Sequence, residues 1–337
     1  MSKLKIGVVG CGYWGPNLVR NFNELPISDV FAVADLDETR LSYIKMRYPN
    51  TTVTRNYHDL FSMELDAIAI ASPPATHFEI GKACLENNLH VFIEKPMTID
   101  SKSAHHLIQL AEEKSLTLMV GHTFEYNSAV HVLKDIINSG ELGKIYYIDA
   151  ARLNLGLFQR DLNVIWDLAP HDISILLFLI NEEPISISAS GMKCAIDSIF
   201  DNVYINLIFP NNILAHVHVS WIDPCKVRRI TVVGSKKMVV YNDVNNNEKI
   251  KIYDKGVDVP SYTNGFEEFV CNYHYGDVTI PNVQFKEPLR AECQHFLDCI
   301  RNGTTPISSG YDGLRVIKII EAAQRALNNG NGREIIQ

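Results

Sequence analysis

The stretch Lys5-Ile6-Gly7-Val8-Val9-Gly10-Cys11-Gly12-Tyr13-Trp14-Gly15-Pro16 decides how this chain is read. An apolar run (Ile6, Val8, Val9) leads into three glycines, Gly10, Gly12 and Gly15, and a helix-like stretch follows from Pro16 to Asn23. Strand, tight turn and helix in this order cradle a dinucleotide pyrophosphate. The glycines let the backbone approach the phosphates, whose charge meets the free N–H groups and positive dipole end of the helix. Glycine turns alone are common, so the context carries weight. A second apolar run, Val30 to Ala34, ends in Asp35, 20 residues beyond Gly15, where the fingerprint places an acid on the adenosine ribose hydroxyls. An acid there accepts from a 2′-hydroxyl and repels a 2′-phosphate, which predicts NAD rather than NADP.

Outward from that turn, 337 residues with 46% apolar side chains suffice for two domains. A formal net charge of -8 with no visible basic patch argues against nucleic acid or an anionic membrane as partner. The seven cysteines are odd in number and form no C-x-x-C pair, so neither a disulfide framework nor a zinc site is indicated. That favours a cytoplasmic location. The apolar stretch after Lys3 and Lys5 is short and broken by glycine, unlike a signal peptide, and no run reaches membrane-spanning length.

From residue 1 to 122 short apolar runs alternate with helical segments, the pattern of a doubly wound parallel sheet. The runs are Ile6 to Val9, Val30 to Ala34, Thr52 to Thr54, Ala67 to Ala71, Val91 to Ile93 and Leu116 to Val120, with a helix such as Ser101 to Lys114 between them. From 123 to 337 the texture becomes that of an α+β domain with a mostly antiparallel sheet. Its strands are predicted at Ile145 to Leu153, Ile185 to Cys194, Val203 to Phe209, Ile213 to Trp221, Arg229 to Val233 and Lys237 to Tyr241, with a hairpin around Asn245-Asn246-Asn247. Helices are expected at Asp172 to Leu179, Leu289 to Arg301 and Gly313 to Leu327. Residues 257 to 285 read as irregular and aromatic (Tyr262, Phe266, Phe269, Tyr273, Tyr275), able to stack a base or to pack a hairpin.

Ligands of such a parallel sheet bind at the carboxyl ends of its strands. That places Ala71-Ser72-Pro73-Pro74 and Glu94-Lys95-Pro96 at the cofactor crevice, with Thr76 and His77, where the next helix is expected to begin, counted among the cofactor candidates. A proline after Lys95 can fix a cis bond or a rigid turn that aims the lysine. Asp167 and His171, spaced i, i+4, project from one face if their segment is helical. His171 then suits proton exchange with a substrate hydroxyl. The blander alternative makes Asp167 a helix cap and His171 an interior histidine. A third metal ligand is not evident near this pair. His216 and His218, alternating on a strand, read as a half-polar sheet face rather than a metal pair. Cys11 reads as a small-residue filler of the turn.

Together the glycine turn with Asp35, Ser72-Pro73-Pro74-Ala75-Thr76-His77, Glu94-Lys95-Pro96 and Asp167-x-x-x-His171 resemble the Gfo/Idh/MocA oxidoreductase family over the whole chain. The resemblance implies a Rossmann domain carrying NAD and an open-faced sheet in the second domain that serves a homo-oligomer, tetramer or dimer. It also implies Lys95, Asp167 and His171 at the substrate, with Tyr13 and Trp14 beside the cofactor. The finer pattern, Gly10 to Phe22 together with Asn154 to Gln159 and Asn163 to His171, is similar to the branch of UDP-N-acetylglucosamine 3-dehydrogenases; Glu125 departs from it, where an apolar residue is more usual. This branch implies oxidation of the 3-hydroxyl of a nucleotide sugar before transamination, in lipopolysaccharide or surface-glycan synthesis. Arg152, Asn154, Arg160 and Asn163 are then candidates to hold the sugar or its phosphates. The uronate form of that substrate, a keto-sugar reductase and a silent dinucleotide-binding sensor are the rival readings.

Overall fold

The structure, a computed structural model, describes residues 2–156, 158, 162–258, 272–330 and 332–335. In chain order the first elements are β1 (Leu4–Val9), α1 (Gly15–Glu24), β2 (Ser28–Ala34), α2 (Glu38–Arg47), β3 (Thr52–Thr54) and β4 (Ala67–Ile70). Next come α3 (His77–Glu86), β5 (His90–Glu94), α4 (Ser101–Glu113), β6 (Leu118–Gly121), α5 (Ser128–Asn138), β7 (Ile145–Leu155) and α6 (Val164–Ile180). The remainder is β8 (Ser186–Met192), β9 (Asn202–Ile208), β10 (Leu214–Ser220), β11 (Ile222–Gly234), β12 (Met238–Asn242), β13 (Ile250–Asp258), β14 (Asn272–Thr279), α7 (Pro288–Asn302), α8 (Gly310–Asn328) and β15 (Arg333–Ile335).

The chain divides into two compact units, Met1–Asn127 with Lys286–Lys318, and Ser128–Phe285 with Ile319–Gln337. In the first, six parallel strands run in the order β3-β2-β1-β4-β5-β6. This is the doubly wound arrangement whose order reverses beside β1, at the glycine turn. The central strands are buried on both faces, so they read as continuous apolar runs such as Ala67-Ile68-Ala69-Ile70.

A division at residue 122 takes in only the outward pass of the chain. The segment from Lys286 returns to the first unit, where α7 packs along α1. Its stripe of Leu289, Cys293, Phe296 and Leu297 has the spacing of a helix face and joins the core of Ile6, Val8, Leu18 and Phe22. Phe22, Phe92 and Phe296 meet edge to face, with ring centroids 5.8–6.4 Å apart. All three are fully buried, and each contributes about 2–3 kcal/mol by leaving water. An Arg20–Glu287 ion pair ties the start of α7 to α1.

The second unit holds a nine-stranded sheet, β14-β13-β12-β11-β7-β10-β9-β8-β15. Its neighbours pair antiparallel except β10 with β7, which run parallel. The hairpin expected around Asn245 joins β12 to β13. Alternation along β9 and β10 buries Val203, Ile205, Leu207, Ala215, Val217 and Val219 on one face, which α6 covers in part. His216, His218 and Tyr204 lie on the other. There His218 stacks on Tyr204 at 4.0 Å, and the two imidazoles meet Asn206 and Asn202 at 2.8 Å.

The structure corrects the sequence reading at three places. Helix α6 begins at Val164, not Asp172, and runs through Pro170, because the Asn163 side chain caps the N–H groups of Ile165 and Trp166. Helix α5 was not expected. Part of the span read as irregular is strand: β13 and β14 pair antiparallel and add Tyr273 and Tyr275, both exposed, to the sheet edge. Tyr262, Phe266 and Phe269 lie outside the described residues. Among the described residues no helix is long and apolar enough to cross a membrane.

Candidate active site

The glycine turn has the geometry its sequence requires. Gly10 sits at φ +94°, and a Cβ there would come within 2.6 Å of the Ala71 and Ser72 backbone. A Cβ on Gly15 would meet the Gly10 carbonyl oxygen at 2.0 Å, so turn and helix close on each other only with glycine. Gly12 differs: its Cβ would enter open space, with Arg40 Nη1 4.0 Å away the nearest atom. Trp14 heads α1 without capping it by its side chain; its carbonyl accepts from the Asn17 N–H at 2.9 Å and Pro16 carries no N–H, so the turn's backbone and the positive dipole end of the helix are what an anion would meet. Tyr13, 83% exposed, and Trp14 flank the turn edge to face at 5.5 Å.

Asp35 closes β2 beside this turn. Its Oδ2 accepts from the Cys11 N–H and its Oδ1 from the Asp37 N–H at 2.8 Å, with Arg40 Nη1 3.7 Å from Oδ2. The carboxylate thus holds the glycine turn in place and stands where the ribose of a dinucleotide is read. The Cys11 thiol is pushed up to about 12 by burial and by Asp35, so it stays protonated and inert. Glycine cradle, open space at Gly12, the positive end of α1 and the acid together fit NAD.

At the next strand ends, Ser72 Oγ and Thr76 Oγ1 lie 2.7 Å apart, and Thr76 donates to the Pro73 carbonyl at 2.8 Å. His77, placed by sequence at the cofactor, is instead 1% exposed. Its ring nitrogens lie 2.9 Å from the Pro96 carbonyl and 2.8 Å from that of Ser72. It links two crevice loops from beneath. Lys95 follows β5, and its bond to Pro96 is cis. Glu94 before it is buried, and burial pushes its carboxyl up to about 7 against the pull of Lys95.

In the second unit Asp167 and His171 are one turn apart on α6, hence on one face. Asp167 does not cap the helix; its Oδ2 accepts from the indole N–H of buried Trp221 at 3.0 Å. Asn163 is engaged as the cap and donates to Gln324 at 2.6 Å. Arg152 is 5% exposed and grips Asp172 through Nε at 2.6 Å and Nη2 at 3.1 Å. Its guanidinium is thus set within the unit by a bidentate ion pair. Asn154 is half-buried on β7, and Arg160 lies outside the described residues.

The model of an oxidoreductase family with an NAD-binding Rossmann fold matches residues 4–122, and that of the C-terminal domain of the same family matches 130–240. The chain belongs to the Gfo/Idh/MocA family. The first unit is its NAD-binding domain. Along 94% of this chain and 95% of the relative, it is 26% identical to a UDP-N-acetylglucosamine 3-dehydrogenase of Acidithiobacillus ferrooxidans. A myo-inositol 2-dehydrogenase of Thermotoga maritima is 22% identical over 96% of each chain. The solved structure of the Acidithiobacillus enzyme superposes with a TM-score of 0.79 over 98% of this chain and 99% of that one, at 24% identity.

Two buried groups of this Gfo/Idh/MocA chain escaped the sequence reading. Glu292 lies on the apolar stripe of α7 and His122 directly follows β6, and both are sealed from water. The signal for Glu292 was present: it falls at i+3 from Leu289 and i−4 from Phe296, where a helix buries its side chains.

Proposed function

We propose that this protein oxidises the 3-hydroxyl of UDP-N-acetylglucosamine with NAD, giving the 3-keto sugar that a following transamination consumes. The observation that carries the dehydrogenase reading is the pairing of an NAD-binding turn with three proton-handling side chains at the positions that the family motifs occupy, Lys95, Asp167 and His171. The sugar is supported by whole-length likeness to the Acidithiobacillus enzyme.

Oxidation removes a hydride from the carbinol carbon and a proton from its oxygen. Bound NAD supplies the hydride acceptor. The proton is the protein's task, and His171 takes it, since an imidazole exchanges protons near neutral pH. Asp167 orients that imidazole. Lys95 donates a hydrogen bond to the same oxygen and stabilises the negative charge that develops there. A dinucleotide-binding sensor would require none of these three groups. We place the reaction in the cytoplasm, in a homo-oligomer, on the route to a surface glycan.

The test offers purified protein and NAD with UDP-N-acetylglucosamine, its uronate form and myo-inositol, each coupled to a reaction that removes the product. Turnover of UDP-N-acetylglucosamine with a 3-amino sugar after transamination is expected. Turnover of inositol alone would move the protein to the branch of the Thermotoga relative. Amination at carbon 4 would also refute the assignment.

A further inference from the structure

Behind Lys95 the first unit buries more acid than its chemistry needs. Glu94 ends β5 in register with Gly121 at the end of β6. A Cβ on Gly121 would lie 3.0 Å from Glu94 Oε2, so the glycine makes room for the carboxyl. Glu292, fully buried on α7, accepts a hydrogen bond from Thr123 Oγ1 at 2.8 Å. Glu125, two residues further along that turn, is buried as well. Among the described residues, the Oε1 atoms of Glu94 and Glu292 and both ring nitrogens of His122 are buried and find no hydrogen-bond partner.

Three buried carboxyls therefore lie close enough for Glu94 and Glu125 to act on Glu292, and the Lys95 ammonium acts on Glu94. Three full negative charges there would repel one another with little water to screen them. One added proton removes a charge and turns an unpartnered acceptor into a donor. Tyr126, Cys293 and His122 offer these carboxyls no compensating charge, and the cation Arg20, which acts on Cys293, is held by Glu287. Tyr126 and Cys293 stay protonated, chiefly through burial and then through the neighbouring carboxyls. His122 is lowered to about 3, by burial first and Lys95 second, and is neutral.

We propose that Glu292 carries a proton at neutral pH and, with Glu94 as the buried counter-charge of Lys95, forms a pair that positions the lysine for the substrate oxygen. The direction of both carboxyls agrees. Burial, reinforced by Glu94 and Glu125, holds Glu292 well above the ordinary carboxyl range. Glu94 ionises nearer neutrality because the Lys95 ammonium and backbone N–H favour its charged form. With Glu292 neutral, no charge on α7 competes with the Glu94 carboxylate on β5 for the lysine. This role rests on the reading of Lys95 given above, whereas the proton on Glu292 does not.

The experiment is infrared spectroscopy of the full chain without substrate at mildly alkaline pH, read for the carbonyl stretch of a protonated carboxylic acid. The band is expected in the unaltered protein and in Glu94→Gln, and lost in both Glu292→Gln and Glu292→Leu. Its absence from the unaltered protein, or its survival in both Glu292 variants, overturns the proposal. The positioning role is read from pH profiles with whichever alcohol the protein oxidises. Glu94→Gln should move the alkaline limb of kcat down by about one pH unit, as loss of a counter-charge lowers a lysine's pKa, while Glu94→Asp restores most of it. An unmoved limb in Glu94→Gln overturns that part, and the infrared result separates this failure from a wrong substrate.

Discussion

Replacing Glu94 with glutamine should change how the stability of the first unit depends on pH, and the size of the change follows from burial. In the folded chain this carboxyl sits at about 7 against an ordinary value of 4.5. Because the folded value is the higher, the folded chain binds more protons between the two, and the contribution of Glu94 to stability falls as pH rises through that window. Integrated from about pH 5 to about pH 8, the loss is about 2.5 kcal/mol, since each pH unit separating the folded and unfolded values is worth about 1.4 kcal/mol. Glutamine has the shape of the protonated acid and does not titrate. Relative to the unaltered protein, Glu94→Gln should therefore gain about 2.5 kcal/mol between those two conditions. Urea unfolding followed by circular dichroism in the absence of NAD measures it. Parallel pH curves for the two proteins, or a variant that loses ground in alkali, would refute the reasoning.

Lys95→Met and His171→Asn should each lower turnover by about two to four orders of magnitude while leaving NAD affinity nearly intact, as calorimetry and steady-state rates will show. A parallel collapse of NAD binding would mark them as structural. Asp35→Ser should narrow the preference for NAD over NADP, and equal or tighter NADP binding by the unaltered protein would contradict the role given to Asp35. Asp172→Asn removes the bidentate carboxylate from the buried Arg152 guanidinium, so the second unit should lose about 3–5 kcal/mol in urea unfolding. A loss well under about 1 kcal/mol, the typical worth of an exposed pair, would show that water reaches the arginine.

The parallel half of the fold was legible because its signals are local. Glycines at Gly10 and Gly15 have few substitutes where a Cβ would strike backbone, and strands such as β4 and β5 are short apolar runs between turn residues. What failed depended on distant partners or on a misleading residue. Proline is disfavoured inside a helix, yet α6 starts before Pro170 and continues past it because Asn163 caps one end and the apolar face from Val164 to Leu179 is buried. Strand β14 carries exposed side chains such as Tyr273 and Tyr275, and only pairing with β13 explains it as a strand. The return of α7 to the first unit was invisible from spacing: the helix stripe tells that Glu292 is buried, not against what. The motifs make Lys95, Asp167 and His171 candidates, whereas nothing local told that Arg152 would be gripped by Asp172 20 positions away.

The most direct test of the central claim follows the hydride. UDP-N-acetylglucosamine carrying deuterium at carbon 3 is incubated with the protein and unlabelled NAD, the keto product is removed by a coupled aminotransferase, and the reduced nucleotide is weighed by mass spectrometry. The account predicts that NADH gains one deuterium and that Lys95→Met and His171→Asn form it far more slowly. NADH without the label, or label transferred only from a sugar deuterated at another carbon, would contradict it.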